Sequence, residues 1–243
     1  MDAQQLKTLE NMGGFAFINS AFEKNDLDQL ENSLDELFPD DFDSPTSDAT
    51  PIKGRKVLEV TRALNRSTFL RTCAVFKTCQ SIASQYLNCS AHYTFDHAIY
   101  KYPGAGSGIG WHQDQAYQRK DLCMRSIHFW IPLQDSSELN GGLEFSPGSH
   151  KYSLLTHLKT ANAKTLEVIT DDDLEVFSCH IPRGGLSIHL PYTLHRSTEN
   201  NTSNVRKAWI LHFSQYGKWD ILRPKNIMTH IAKLREKHVF THQ

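Results

Sequence analysis

Ser126-Ile127-His128-Phe129-Trp130-Ile131-Pro132-Leu133 is the stretch on which the fold turns. Side chains on an extended strand point alternately to opposite sides. Ile127, Phe129, Ile131 and Leu133 then share an apolar face, and Ser126, His128 and Trp130 share a more polar one. A strand divided this way suits a position between a helical layer and a cavity. Residues 205–213 repeat the division: Val205, Trp209, Leu211 and Phe213 are apolar, with Arg206, Ala208, Ile210 and His212 opposite. Arg206 is thereby expected in the same cavity as Trp130, provided that the strand register holds.

Working outward, strand-like runs are predicted at 92–102, 110–115, 123–134, 141–146, 174–181, 185–190 and 204–215. They are punctuated by Gly and Pro with no helix between them, which means an antiparallel sandwich or barrel. Upstream, a short helix is expected at 2–12, a brief strand at 15–18 and an amphipathic helix at 26–38, where Leu27, Leu30, Leu34 and Leu37 recur at helical spacing and Asn25 or Asp26 caps the start. A polar loop at 39–54, read as a candidate lid, precedes a longer helix at 66–88. The expected fold class is α+β: a β core with the N-terminal helices on one outer face, in a single domain over residues 1–243.

Composition narrows the function. A net charge of −1 with 22% charged residues gives no electrostatic footprint for nucleic acid and no acidic tail. The five cysteines form no CxxC pair, as expected of free thiols in a reducing compartment. The first residues hold no apolar signal core, and no apolar run reaches membrane-spanning length. The expectation is a soluble cytoplasmic protein whose partner is a small-molecule substrate, with neither nucleic acid nor membrane involved. Asn-x-Ser/Thr sequons such as those at Asn65, Asn88 and Asn201 are read as chance.

Gly110-Trp111-His112-Gln113-Asp114-Gln115 carries the chemistry. On a strand, His112 and Asp114 point the same way and converge as two ligands of a metal would. Pro191-Tyr192-Thr193-Leu194-His195-Arg196-Ser197 supplies a third candidate in His195. Two imidazoles and one carboxylate on one side of an ion, with other positions open, form the facial triad of non-heme Fe(II) oxygenases, although Zn and Mn accept the same ligand types. Arg206, facing a cavity, needs an anion, since an unpaired buried charge is expensive. A dicarboxylate such as 2-oxoglutarate meets both needs: its oxo-acid end chelates a metal and its far carboxylate reaches a guanidinium. Ser197 is placed to donate a hydrogen bond to that carboxylate.

Three blocks make a resemblance specific: Trp-His-Gln-Asp-Gln at 111–115, Asn-Gly-Gly-Leu-Glu-Phe-Ser-Pro-Gly-Ser-His-Lys at 140–151, and Gly-Gly-Leu-Ser-Ile-His-Leu-Pro-Tyr-Thr-Leu-His-Arg-Ser at 184–197. In order and spacing the chain resembles the phytanoyl-CoA dioxygenase family of Fe(II)/2-oxoglutarate oxygenases, most closely over residues 92–215. The resemblance implies a double-stranded β-helix, or jelly roll. It implies His112, Asp114 and His195 as catalytic iron ligands, Arg206 as the clamp on 2-oxoglutarate, and Ser197 and Trp130 as further contacts to that cosubstrate. It implies consumption of O2 and release of succinate and CO2, with hydroxylation, desaturation or cyclisation of a small organic substrate. Related halogenases replace the carboxylate ligand with a small residue, so an intact Asp114 argues against halogenation.

The segments 39–56, 103–110 and 151–173 carry no acyl-CoA signature, so phytanoyl-CoA is not carried over as substrate. Gly104, Gly106, Gly108 and Gly110 match no nucleotide-binding motif. Gln113, Gln115 and Tyr102 are secondary candidates for substrate contact. Two other readings use the same residues: a metal-dependent hydrolase or isomerase in which Arg206 and Ser197 bind an anionic substrate directly, and a cupin-like binding module without turnover.

Overall fold

A computed structural model describes residues 9–11, 13–39, 42–43, 49–52, 56–104, 108–118, 125–159, 165–170 and 173–217. The expected helix at 2–12 lies outside these apart from Leu9, Glu10 and Asn11, which form a turn. In chain order the elements are β1 (Phe15–Ile18), α1 (Lys24–Asp35), β2 (Thr50–Pro51), β3 (Val57–Thr61), α2 (Ala74–Leu87), β4 (His92–Lys101) and β5 (Ile109–His112). There follow β6 (Ser126–Pro132), β7 (Leu143–Phe145), β8 (Leu158–Lys159), β9 (Leu166–Glu167), β10 (Phe177–Ser178), β11 (Leu186–His189), β12 (His195–Ser197) and β13 (Arg206–Ser214).

The strands form a seven-stranded sheet in the order β1-β11-β6-β13-β4-β3-β2 and a four-stranded sheet in the order β10-β7-β12-β5, with β8 and β9 paired as a separate ribbon. All pairings are antiparallel. Two sheets facing one another with helices on one outer side is the jelly-roll arrangement.

The alternation read along β6 and β13 holds. Ile127, Phe129, Ile131 and Leu133 join Trp209, Leu211 and Phe213 in the core beneath α1 and α2. Leu27, Leu30 and Leu34 of α1 are buried there too, each contributing about 1.5–3 kcal/mol of apolar transfer free energy. Trp130 and Ile210 belong to the second apolar cluster, between the sheets. The buried indole of Trp209 donates from Nε1 to Asp96 Oδ2 at 3.1 Å, so its polar edge is satisfied inside the core.

Some boundaries differ from expectation for local reasons. Helix α1 begins at Lys24, ahead of the expected caps, and Glu23 at its N-cap makes no side-chain hydrogen bond. Asp26 instead sits in the first turn, where it favours the helix dipole. Helix α2 begins eight residues later than expected because Cys73 is extended (ψ 156°) and its sulfur accepts from the Phe76 amide. It ends at Asn88 in the left-handed region (φ 54°), a conformation that Asn tolerates. The strand expected at 110–115 stops at His112; Gln113 is still extended, and Asp114 opens a 3-10 turn through Tyr117.

Candidate functional site

His112 and His195 are direct partners across the β5–β12 ladder. Side chains opposite one another in such a pair lie close on the same face, and here the imidazole centroids are 4.2 Å apart. A register shift follows between His195 and Ser197; irregularities of this kind re-aim side chains beside active sites. Because Gln113 is extended, Asp114 returns to the side of His112, as alternation requires, although it belongs to a turn. Asp114 Oδ1 lies 3.6 Å from His112 Nε2 and 3.7 Å from His195 Nε2. One donor atom from each of the three residues falls within 4.8 Å of the other two.

Each histidine is oriented by its own backbone. Nδ1 of His112 is 2.8 Å from the Gly110 carbonyl, and Nδ1 of His195 is 2.9 Å from the Thr193 carbonyl. A carbonyl can only accept, so Nδ1 carries the proton and the lone pair is left on Nε2, aimed at the shared point. Metal-binding histidines are held in this way. Burial pushes the His195 imidazole well down and the His112 imidazole down, with Asp114 pulling the other way. Burial works to raise the Asp114 carboxyl, yet His195 and hydrogen bonds from His128 and His189 hold it well below the usual carboxylate range. Neutral imidazoles and an ionised carboxylate are the protonation states that bind a cation.

The other oxygen of Asp114 is occupied. Oδ2 accepts from His128 Nδ1 at 2.6 Å and from His189 Nε2 at 3.1 Å. His212 stacks on His128 with centroids 3.6 Å apart. These three histidines were not singled out as site residues. The signal was present, since His128 and His212 fall on the cavity face of their strands.

Deeper in the same cavity lies Arg206, 2% exposed, at the start of β13. Its guanidinium carbon is 5.5 Å from the Trp130 ring centroid, a cation–π contact. Nε and Nη1 have no hydrogen-bond partner among the described residues. Burial pushes the group down to about 9, which leaves it cationic at neutral pH. Ser197 is buried beside it and accepts from Lys101 Nζ at 2.8 Å. The cavity, about 770 Å³, is lined at once by His112, Asp114, His195, Trp130, Ser197 and Arg206. All six residues expected to form the site therefore face one space.

The secondary candidates do not. Gln113 is fully buried and serves the scaffold, donating to the Tyr192 carbonyl and accepting from the Leu155 amide. Gln115 is buried as well, and the Tyr102 hydroxyl donates to the Pro39 carbonyl. The rim away from Arg206 is made instead by Glu59, Thr61, Arg62, Thr94, Phe95 and His97. Thr50, Pro51 and Ile52, from the loop read as a lid, also line it. Among the described residues no helix is long and apolar enough to cross a membrane.

Known proteins share this architecture. EvdO2 from Micromonospora carbonacea var. aurantiaca, solved in complex with 2-oxoglutarate, superposes with a TM-score of 0.75 over 89% of this chain and 91% of its own, at 24% identity. A phytanoyl-CoA dioxygenase of Arabidopsis thaliana is 32% identical over 117 residues, 47% of this chain and 41% of that protein. The phytanoyl-CoA dioxygenase domain-containing protein 1 of Danio rerio is 27% identical over 125 residues, 48% of this chain and 43% of that protein. The chain thus spans less than half the length of these curated relatives. The family model described as Phytanoyl-CoA dioxygenase (PhyH) matches residues 11–208, from ahead of β1 into β13. That match takes in the two histidines, the aspartate and the arginine alike, and the chain belongs to the phytanoyl-CoA dioxygenase family.

Proposed function

We propose that the protein is an Fe(II)- and 2-oxoglutarate-dependent oxygenase acting on a small organic substrate. The observation that carries this reading is Arg206: a buried guanidinium with two donors that have no partner among the described residues, in the same cavity as a His-Asp-His cluster. A metal hydrolase would use that cation only on an anionic substrate, whereas a cosubstrate with a carboxylate at each end fits both features.

In this reading His112 Nε2, Asp114 Oδ1 and His195 Nε2 hold the iron, and their donor set suits Fe(II). His128 and His189 keep Asp114 Oδ2 turned away, leaving one oxygen for the metal. Arg206 and Ser197 receive the distal carboxylate of 2-oxoglutarate, and Trp130 walls the space between them and the metal cluster. Fe(II) held there would supply, together with 2-oxoglutarate and O2, the oxidising power of the reaction, with succinate and CO2 as co-products. The protein's own part is to orient both partners and to keep water from the reacting centre. EvdO2, solved with 2-oxoglutarate, supports the cosubstrate assignment.

The substrate enters by the rim. Glu59 and His97 are paired there at 2.5 Å, with Thr61, Arg62 and Thr94 nearby. These groups can hydrogen-bond a substrate, beside the apolar Pro51, Ile52 and Phe95. We infer a substrate with polar functional groups, oxidised by hydroxylation, desaturation or ring closure.

Adding Fe(II) and 2-oxoglutarate without oxygen should produce a weak visible charge-transfer band, and admitting oxygen should release succinate. A metal-loaded protein that binds no 2-oxoglutarate would leave the hydrolase reading standing. Succinate released on admitting oxygen would eliminate the binding module.

A further inference from the structure

Lys101 is fully buried at the end of β4, directly opposite Arg206 on β13. A lysine is almost never fully buried unless its ammonium is held. Here Nζ donates to Ser197 Oγ at 2.8 Å and to the Thr198 carbonyl at 2.6 Å. Ser197 lines the cavity and Lys101 does not, so the ammonium reaches the hydroxyl from behind. The surroundings are shaped to admit it. Gly141 takes φ +88°, and a Cβ there would stand 2.9 Å from Lys101 Cδ. Asn200 Nδ2 donates to the Lys101 carbonyl at 2.9 Å and ties the strand end down.

This arrangement decides which way Ser197 can act. A serine hydroxyl has one proton to give and two lone pairs to receive. An ammonium can only donate, so Ser197 Oγ must accept from Lys101. The hydroxyl's own proton then turns out of that contact and towards the cavity, on the side of Arg206. Water or a neutral group could use the oxygen either way; an anion can only receive the proton.

We propose that Lys101 is a positioning residue for the distal carboxylate of 2-oxoglutarate, acting through Ser197 by fixing its hydroxyl as a donor. The proposal rests on the oxygenase reading above. It makes the carboxylate subsite a set of three residues, with Arg206 and Ser197 touching the ligand and Lys101 setting the serine.

The test compares two oxo acids in anaerobic Fe(II) titrations read by the charge-transfer band. 2-Oxoglutarate carries the distal carboxylate; 2-oxopentanoate has the same chain length with a methyl in its place. Lys101→Met keeps the length of the side chain and removes the donor. It should weaken 2-oxoglutarate about ten-fold, the size of one lost hydrogen bond to a charged group, and leave 2-oxopentanoate unchanged. Combined with Ser197→Ala it should add little to the serine variant alone, because both remove the same bond. Equal weakening of both oxo acids, or effects that multiply in the double variant, would overturn the proposal by making Lys101 merely structural. Should Lys101→Met fail to fold, Ser197→Ala alone decides: an unchanged ratio between the two oxo acids overturns it. A wild-type protein that gives no band with either acid would instead sink the oxygenase reading, and the proposal with it.

Discussion

Replacing Arg206 with methionine should improve stability and destroy cosubstrate binding at once. Nε and Nη1 of Arg206 are buried with no protein partner among the described residues. An unsatisfied buried donor costs roughly 1–3 kcal/mol, more when charged, and exchanging a buried charge for a well-packed apolar side chain is often stabilising. Methionine is shorter and leaves some space, so the net gain is set at about 1–3 kcal/mol. For a chain of this size about 2–4 °C accompanies each kcal/mol, so the ligand-free variant should melt about 2–12 °C above wild type. With Fe(II) and 2-oxoglutarate at a hundred times its Kd, the wild type should gain about 2.7 kcal/mol by mass action. The variant should gain no more than about 0.4 kcal/mol from 2-oxoglutarate, its binding falling about a hundred-fold or more as the distal carboxylate loses its partner. Anaerobic thermal melts of both proteins, with and without 2-oxoglutarate, measure all four states. A variant that melts below wild type in the absence of ligand, or that keeps the 2-oxoglutarate shift, would show that Arg206 is paired in the fold and is not waiting for an anion.

Three further outcomes follow from the site. His112→Ala should abolish Fe(II) binding, read by equilibrium dialysis, and succinate release with it; retained metal at wild-type affinity would remove His112 from the cluster. His128→Leu takes away one of two donors to Asp114 Oδ2 and should weaken metal binding about ten-fold. His128→Asn, which can present an amide N–H to the same oxygen, should recover most of that loss, and identical affinities for the two variants would deny His128 its orienting role. Burial pulls the His97 imidazole down, but the Glu59 carboxylate outweighs it and leaves it raised above its ordinary 6.5. A raised histidine contributes its stability in full below the unfolded value and loses it as pH climbs through the folded one. The margin by which wild type melts above Glu59→Gln should therefore be widest below pH 6.5 and shrink as the solution becomes more alkaline. A margin that stays constant from about pH 6 to 9 would rule out the charged pair.

The parts of this structure legible in the sequence are those governed by periodicity. β6 and β13 alternate because one face meets helices and the other meets a cavity, so the positions of Trp130 and Arg206 followed from counting by twos. The His-x-Asp pair was legible although its strand was drawn too long: one extended residue, Gln113, is enough to bring Asp114 round. The unread residues act through contacts that sequence separation conceals. His128, His189 and Asp114 come from three separate elements. Lys101 looks like an ordinary charged strand end, yet its importance depends on Thr198 and Gly141 approaching it from distant segments. Glu59 becomes informative only when β3 is known to lie beside β4, which sets it near His97. Gln113 failed in the opposite sense, because its polarity suggested substrate when the side chain was needed to tie two loops together.

The placement of the residues within the sheets also says how such a protein can change over evolutionary time. Arg206 and Trp130 stand on strands flanked on both sides by other strands, whereas β2 is an edge strand of two residues and the β8–β9 ribbon is no longer. Outer segments of this sort loosen and tolerate insertion more readily than inner ones. New compounds can be accommodated by redrawing the margin, while the His-Asp-His cluster and Arg206 stay as they are.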